Sequence, residues 1–218
     1  LMHKKGDPTD LNNYRPLGMA NGLYKLWTST VTSVMATLAE EHGVLSDSQA
    51  GFRRGRDIHQ QLMMLQACLE DARIRRKELY ILYVDFASAF NTVDHTILVH
   101  LIHKLGYPPV IQRTVAGIYK DVQTKIITEY GKTDSVHVLR GTIQGDTLSP
   151  LVFILFLEPL LRWLQKGNRG YRLARGNEND VGAAVTGTTS GADLAFADDL
   201  SLMTDRCEQL QVQLEKIC

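Results

Sequence analysis

The sequence predicts an α+β fold in which an antiparallel sheet, with carboxylates at its strand ends, is backed by helices. Three observations predict it. Segments with helical apolar spacing come first along the chain, and strand-like segments appear only later, mixed with further helices. A short apolar run rich in β formers stops at Asp85, and two more apolar pieces meet at Asp198-Asp199 as in a tight hairpin. That order favours a layered α+β arrangement over a doubly wound sheet.

The elements follow in order. Leu1 to Leu17 is polar and turn-rich, and from Leu23 to Glu41 apolar and polar residues alternate at helical spacing until Gly43 marks a stop. Gln49 to Asp57 is a basic, Gly-punctuated loop. A second helix follows, with Ile58, Leu62, Leu65 and Leu69 recurring every three or four residues. Leu79 to Val84 reads as a strand buried on both faces. Helical spacing resumes from Thr92 to Leu105 and stops at Gly106, with Pro108 and Pro109 beyond. Gln123–Glu129 and Ser135–Leu139 flank Gly131 as a hairpin, and Gly141–Pro150 is a loop leading into a helix that reaches about Lys166. Residues 167–190 are rich in Gly and Asn and read as loop; Leu194–Ala197 and Leu200–Met203 form the second hairpin, and a last helix starts near Cys207.

Composition narrows the classes. A chain of 218 residues, 44% hydrophobic, can bury one substantial core or two small ones. Lys plus Arg and Asp plus Glu both number 24, so there is no net basic footprint, and any nucleic-acid contact has to be local. Arg53, Arg54 and Arg56, and farther on Arg73, Arg75, Arg76 and Lys77, supply such local charge. Cys68, Cys207 and Cys218 have no paired spacing, which argues against a disulfide framework or zinc knuckle and for a reducing, intracellular compartment. The longest apolar run, Leu148 to Leu161, is interrupted by Ser149, Pro150, Glu158 and Pro159 and is shorter than the roughly 20 residues a bilayer requires, so no membrane association is expected. The chain opens at Leu1 and ends at Cys218 within a helical pattern, and reads as a piece of something longer.

If Asp85 meets Asp198-Asp199, three carboxylates gather, and such a cluster repels itself unless cations neutralise it. Two Mg²⁺ or Mn²⁺ ions roughly 4 Å apart are the usual solution. The ordinary alternative is that Asp85 caps the following helix and that Asp198-Asp199 merely supply turn residues. His95, His100 and His103 share a helical segment without the spacing of a metal motif and read as structural or solvated.

The surrounding strings decide between these readings. Tyr83-Val84-Asp85-Phe86-Ala87-Ser88-Ala89-Phe90-Asn91-Thr92-Val93-Asp94-His95 resembles motif A of reverse transcriptases, Gly141-Thr142-Ile143-Gln144-Gly145-Asp146-Thr147-Leu148-Ser149-Pro150 resembles motif B, and Phe196-Ala197-Asp198-Asp199 resembles motif C. Upstream, Asn13-Tyr14-Arg15-Pro16-Leu17 with Leu23-Tyr24-Lys25-Leu26, and then Gln49-Ala50-Gly51-Phe52-Arg53-Arg54-Gly55-Arg56, are similar to the two fingers motifs. Their style is nearest to retrotransposons without long terminal repeats, the LINE-like group. Group II intron reverse transcriptases are more distant.

The resemblance implies a right-hand polymerase, with a fingers-like helical region over 1–78, a palm over 79–218 carrying motifs A, B and C, and no thumb. It implies RNA-directed DNA polymerisation from deoxynucleoside triphosphates onto a primer 3′-hydroxyl, on an RNA or DNA template. Asp85 and Asp198 become the metal ligands, with Asp199 beside them and the Phe86 carbonyl completing a shell of two Mg²⁺ or Mn²⁺ ions. Phe90 matches the position whose ring excludes a 2′-hydroxyl; a core phenylalanine is the plainer account. Gln144 and Gly145 line the nucleotide pocket, Lys25, Arg15 and Arg53 clamp the triphosphate, and Arg54 and Arg56 contact nucleic acid. Asn91 stands where the family commonly has an aspartate that is not a metal ligand. The rival readings are a decayed retroelement fragment and an intron-type RNA-binding module. A nuclear or cytoplasmic location follows from the resemblance, which leaves the oligomeric state open.

Overall fold

A computed structural model describes residues 2, 3, 5–10, 13–15, 17–143, 145–166, 170–173 and 193–217. Gln144 and most of the stretch expected as loop over 167–190 lie outside the described residues.

The elements run β1 Met2–His3, β2 Tyr14–Arg15, α1 Gly22–Glu41, α2 Ile58–Arg75, β3 Tyr80–Val84, a 3₁₀ turn Ala89–Asn91, α3 His95–Lys104 and α4 Pro109–Tyr119. Then come β4 Gln123–Thr124, β5 Ile127–Thr128, β6 Gly131–Lys132, β7 Val136–His137, α5 Ser149–Gln165, β8 Asp193–Phe196, β9 Asp199–Thr204 and α6 Cys207–Ile217. The helix starts have chemical causes. Asn21 caps α1 by accepting from the Leu23 N–H, and Asp57 caps α2 by accepting from the Gln60 N–H. Asp94 does the same for α3 toward Thr96 and Ile97, so that helix begins at His95 and not at Thr92 as its periodicity suggests.

By packing, the chain forms two compact units, Leu1–Val44 with Ser88–Phe156, and Leu45–Ala87 with Leu157–Cys218. In the first, Met35, Leu98, Ile102, Val115, Leu148 and Leu155 are fully buried, and the Tyr107 hydroxyl donates to the Met35 carbonyl at 3.2 Å. Its helix α4 was not expected, because Pro108-Pro109 reads as a stop; proline at a first helical position is in fact a start, and Val115 and Tyr119 then recur four apart on the buried side. The hairpin turns through Glu129 and Tyr130, with Thr128 opposite Gly131, and an extra residue on the return strand separates this ladder from the β4–β7 pair.

The second unit holds the three-stranded antiparallel sheet, in the order β3-β9-β8. Cys68 and Ala72 of α2 pack with Ile81, Leu194, Met203 and Tyr171, and the Tyr171 hydroxyl donates to Asp71 at 2.7 Å. Burial pushes the Cys68 thiol up to about 11, which makes it a core residue and not a nucleophile. Thr204 alternates to the other face and bonds Gln209 of α6 at 2.9 Å. The apolar cluster covers Ile81 but stops short of Tyr83, two residues along the same face and 65% exposed. The expected strand buried on both faces is therefore half open, and the open half is the end that leads to Asp85.

Candidate active site

Strands β3 and β9 are registered from Tyr80 opposite Thr204 to Val84 opposite Leu200. One further residue of that register brings Asp85 and Asp199 to the same end of the sheet. Strand β8 returns with Phe196 opposite Asp199, so Ala197 and Asp198 make a two-residue loop at that same end. Asp85, Asp198 and Asp199 thus share one edge of one unit; Asp85 and Asp199 are exposed and Asp198 is half-buried. Helix capping, the plainer role for Asp85, is taken by Asp94, whose carboxyl is held below the usual range first by the Ile97 N–H. In the hairpin loop it is Ala197, not an aspartate, that carries the positive φ of 58°.

Oxygen-only donors of this kind suit a hard divalent cation. Among the described residues no three His, Cys, Asp or Glu side chains are already gathered around one point. The three aspartates could hold a hard cation only as part of a shell that water, the Phe86 carbonyl or a ligand's phosphates would complete, which is how Mg²⁺ is commonly held.

Other candidates are placed as follows. Phe90 is half-buried and stacked on Phe153 of α5, with ring centroids 4.4 Å apart and planes at 25°. The second half of the motif containing Asp85 bonds to the start of the Gly141 loop: the Gly141 N–H donates to the Val93 carbonyl at 2.7 Å and the Thr142 N–H to the Phe90 carbonyl at 2.9 Å. Gly145 has φ +100°, and a Cβ there would stand 3.0 Å from the Gly18 carbonyl oxygen. Asp146 is buried and accepts from the Thr28 hydroxyl at 2.6 Å, fastening the loop to α1. His95 is buried against Tyr119, its Nε2 2.8 Å from the Gly141 carbonyl oxygen, a structural post and not a ligand.

Lys25 is half-buried on α1, and Arg15 lies in β2. Arg54 is exposed, while Arg56 is paired with Asp47 at 2.6 Å. Arg53 is buried, and its Nη1 donates to the carbonyls of Ser46 and Gln49 at 2.6 and 2.9 Å. Sequence reasoning assigned no role to Gln49, which is fully buried and whose amide reaches the backbone of Ala197. An uncharged residue in a basic loop gave no signal of this.

The family described as reverse transcriptase (RNA-dependent DNA polymerase) matches residues 2–218. The chain belongs to that family. It is 28% identical over 217 residues to the retrovirus-related Pol polyprotein from type-1 retrotransposable element R2 of Nasonia vitripennis, covering 100% of this chain and 19% of the relative. A second R2 polyprotein, from Popillia japonica, is 29% identical over 206 residues, 94% of this chain and 27% of its own. This reverse transcriptase domain therefore spans about a fifth to a quarter of the relatives it matches. Among solved structures it is similar to apo telomerase from Candida tropicalis, with a TM-score of 0.61 at 11% identity over 88% of this chain and 32% of that one, a likeness of fold. The right-hand polymerase fold expected from the motifs is thereby established.

Proposed function

We propose that this domain is an RNA-directed DNA polymerase of a LINE-like retrotransposon, joining deoxynucleoside triphosphates to a primer 3′-hydroxyl on an RNA or DNA template. The observation that carries the reading is the β3–β9 register, which leaves the Asp85 strand end beside the Asp198-Asp199 turn. Asp85 and Asp198 would hold the two Mg²⁺ or Mn²⁺ ions this chemistry calls for, with Asp199 and the Phe86 carbonyl alongside. Bound there, such ions neutralise triphosphate charge and activate the attacking hydroxyl.

The chain's own residues bind and orient. Lys25, Arg15 and Arg53 take the triphosphate, Arg53 while bonded through Nη1 to its own loop, and Arg54 and Arg56 take the nucleic-acid backbone. Gly145, with no Cβ, and Gln144 border the base-paired nucleotide. Phe90, held by its stack on Phe153, sets bulk against a 2′-hydroxyl. Residues 1–78 act as fingers and 79–218 as palm, a division by motif and not by packing unit. No helix among the described residues is long and apolar enough to cross a membrane; the setting proposed is the nucleus or cytoplasm.

Primer extension with deoxynucleotides on RNA and DNA templates, in Mg²⁺, in Mn²⁺ or in neither, tests the reading. Extension that needs the metal and disappears in Asp85→Asn is the expected result. Extension by Asp85→Asn at the parent's rate would remove these carboxylates from the chemistry.

A further inference from the structure

We infer that Gln49 is a positioning residue for the metal-binding turn, clasping the Ala197 peptide so that Asp198 leaves the hairpin in one fixed direction; the inference rests on the polymerase reading above. Gln49 is fully buried. Its Oε1 accepts from the Ala197 N–H at 2.9 Å and from the Gly51 N–H at 2.8 Å, while its Nε2 donates to the Ala197 carbonyl at 3.1 Å. The amide's orientation is fixed by this chemistry, because reversing it would set its NH₂ against two N–H donors.

A donor and an acceptor on one rigid amide, bonded to the N–H and C=O of a single residue, determine the orientation of that residue's backbone. Ala197 needs such a hold. Its φ of 58° lies in the left-handed region at the first position of a two-residue hairpin loop, where glycine is the usual occupant. A residue kept in that conformation persists only where its surroundings over-determine it.

Those surroundings extend beyond the amide. The Ala50 N–H donates to the Ala195 carbonyl and the Ala195 N–H to the Ser48 carbonyl, each at 2.9 Å, so Gln49 lies beside β8 in a parallel bridge with Ala195. Gly51 allows the close approach, since a Cβ there would fall 2.2 Å from the Ala197 nitrogen. Arg53 braces the Gln49 carbonyl from within the loop. The segment therefore fixes the direction of Asp198 through the neutral amide of Gln49, which adds no charge beside the carboxylates.

Partners that orient metal ligands typically affect metal affinity or activity about 10–100-fold when removed. Gln49→Met keeps the volume and deletes all three hydrogen bonds; Gln49→Glu keeps the acceptor and lacks the donor until it is protonated. The measurements are Mn²⁺ binding by electron paramagnetic resonance titration of the protein alone, amide exchange at Ala197–Asp199, primer-extension kcat with template-primer Kd, and thermal unfolding. In Gln49→Met, Mn²⁺ affinity and kcat are expected to fall about tenfold or more, with Kd for template-primer held within about twofold. In Gln49→Glu, both should recover relative to the parent as pH is lowered from 8 to 6. If Gln49→Met only lowers the unfolding temperature while Mn²⁺ affinity and kcat stay at the parent's values, the positioning role is overturned; should that variant not fold, a Gln49→Glu protein with parental Mn²⁺ affinity and a parental pH profile overturns it equally. Asp198→Asn run alongside separates the two claims, because parental Mn²⁺ binding and extension in that protein would sink the polymerase reading itself, whereas their loss in Asp198→Asn together with parental behaviour in both Gln49 variants sinks only the inference about Gln49.

Discussion

Of the turns that carry aspartates, two, one in each compact unit, treat the same side chain in opposite ways. Asp146, in the Gly141–Pro150 loop, is buried and accepts a 2.6 Å hydrogen bond from Thr28, whose hydroxyl also lies 3.0 Å from that of Thr147. Asp198 and Asp199, in the β8–β9 turn, are half-buried and exposed, and the polar grip in that turn is on the backbone of Ala197. A buried carboxylate given a donor is a fastening. One left open at a strand end, on a turn held by other groups, is available to bind something. Asp193 makes a third case, since it is buried at the start of β8 with an Oδ1 that has no hydrogen-bond partner among the described residues.

Replacing Asp by Asn, which preserves shape and removes charge, should therefore do different things at these positions. The largest effect is expected at Asp198: extension falls by more than about a hundredfold, some 3 kcal/mol of barrier. Template-primer binding stays level or tightens slightly as repulsion from phosphate is relieved. Asp146→Asn keeps an oxygen for Thr28 and should cost little stability, while Asp146→Ala deletes that bond, leaving the Thr28 hydroxyl the Lys25 carbonyl and the Thr147 hydroxyl, and should cost about 0.5–1.5 kcal/mol. Urea unfolding together with extension per folded molecule checks both, and a dead but fully stable Asp146→Asn would move this residue from scaffold to chemistry.

Asp193 sharpens the comparison through pH. Burial raises its carboxyl to about 6 from 3.8, against the opposing pull of Gln213 and Lys216. The folded state thus holds the proton more tightly than the unfolded chain does. The stability this confers is complete below about pH 3.8 and is lost as pH rises through about 6. Asp193→Asn should match the parent near pH 4 and exceed it at pH 7.5 by roughly 1–3 kcal/mol, since each pKa unit corresponds to about 1.4 kcal/mol. A difference independent of pH would mean that Asp193 ionises normally in the fold.

How much of this could be read in the sequence depends on how local each cause is. Helices α1 and α2, with their apolar periodicity and capping Asn21 and Asp57, were legible, as was the hairpin ending in Asp198-Asp199. Helix α4 was not, because Pro109 carries the same letter whether it ends one helix or begins the next. The exposure of Tyr83 was hidden for another reason: which half of a strand a helix covers is a fact of packing. Gln49 was the least legible of all, since its amide acts on a residue far along the chain and no charge, periodicity or turn chemistry announces it.

The smaller expected effect on the chemistry, in Phe90, tests whether an aromatic ring in the first unit is scaffold, site or both. Its stack on Phe153 makes it resemble a core residue, while its half-exposure leaves an edge for a ligand. Phe90→Val removes the stack and should cost about 1–3 kcal/mol of stability whichever role is right. Stability alone therefore decides nothing. If the ring also guards against a 2′-hydroxyl, the efficiency of a deoxynucleotide relative to its matching ribonucleotide should fall about tenfold, or about 1.4 kcal/mol. General destabilisation cancels in that ratio, because both nucleotides meet the same folded fraction. Phe153→Leu supplies the second arm: it removes the partner ring while leaving Phe90 in place, so a guard that depends on being held by the stack should lose part of its selectivity there too. A ratio unchanged in Phe90→Val would confine the ring to packing, whereas a ratio changed in Phe90→Val but parental in Phe153→Leu would show that the guard works without its brace.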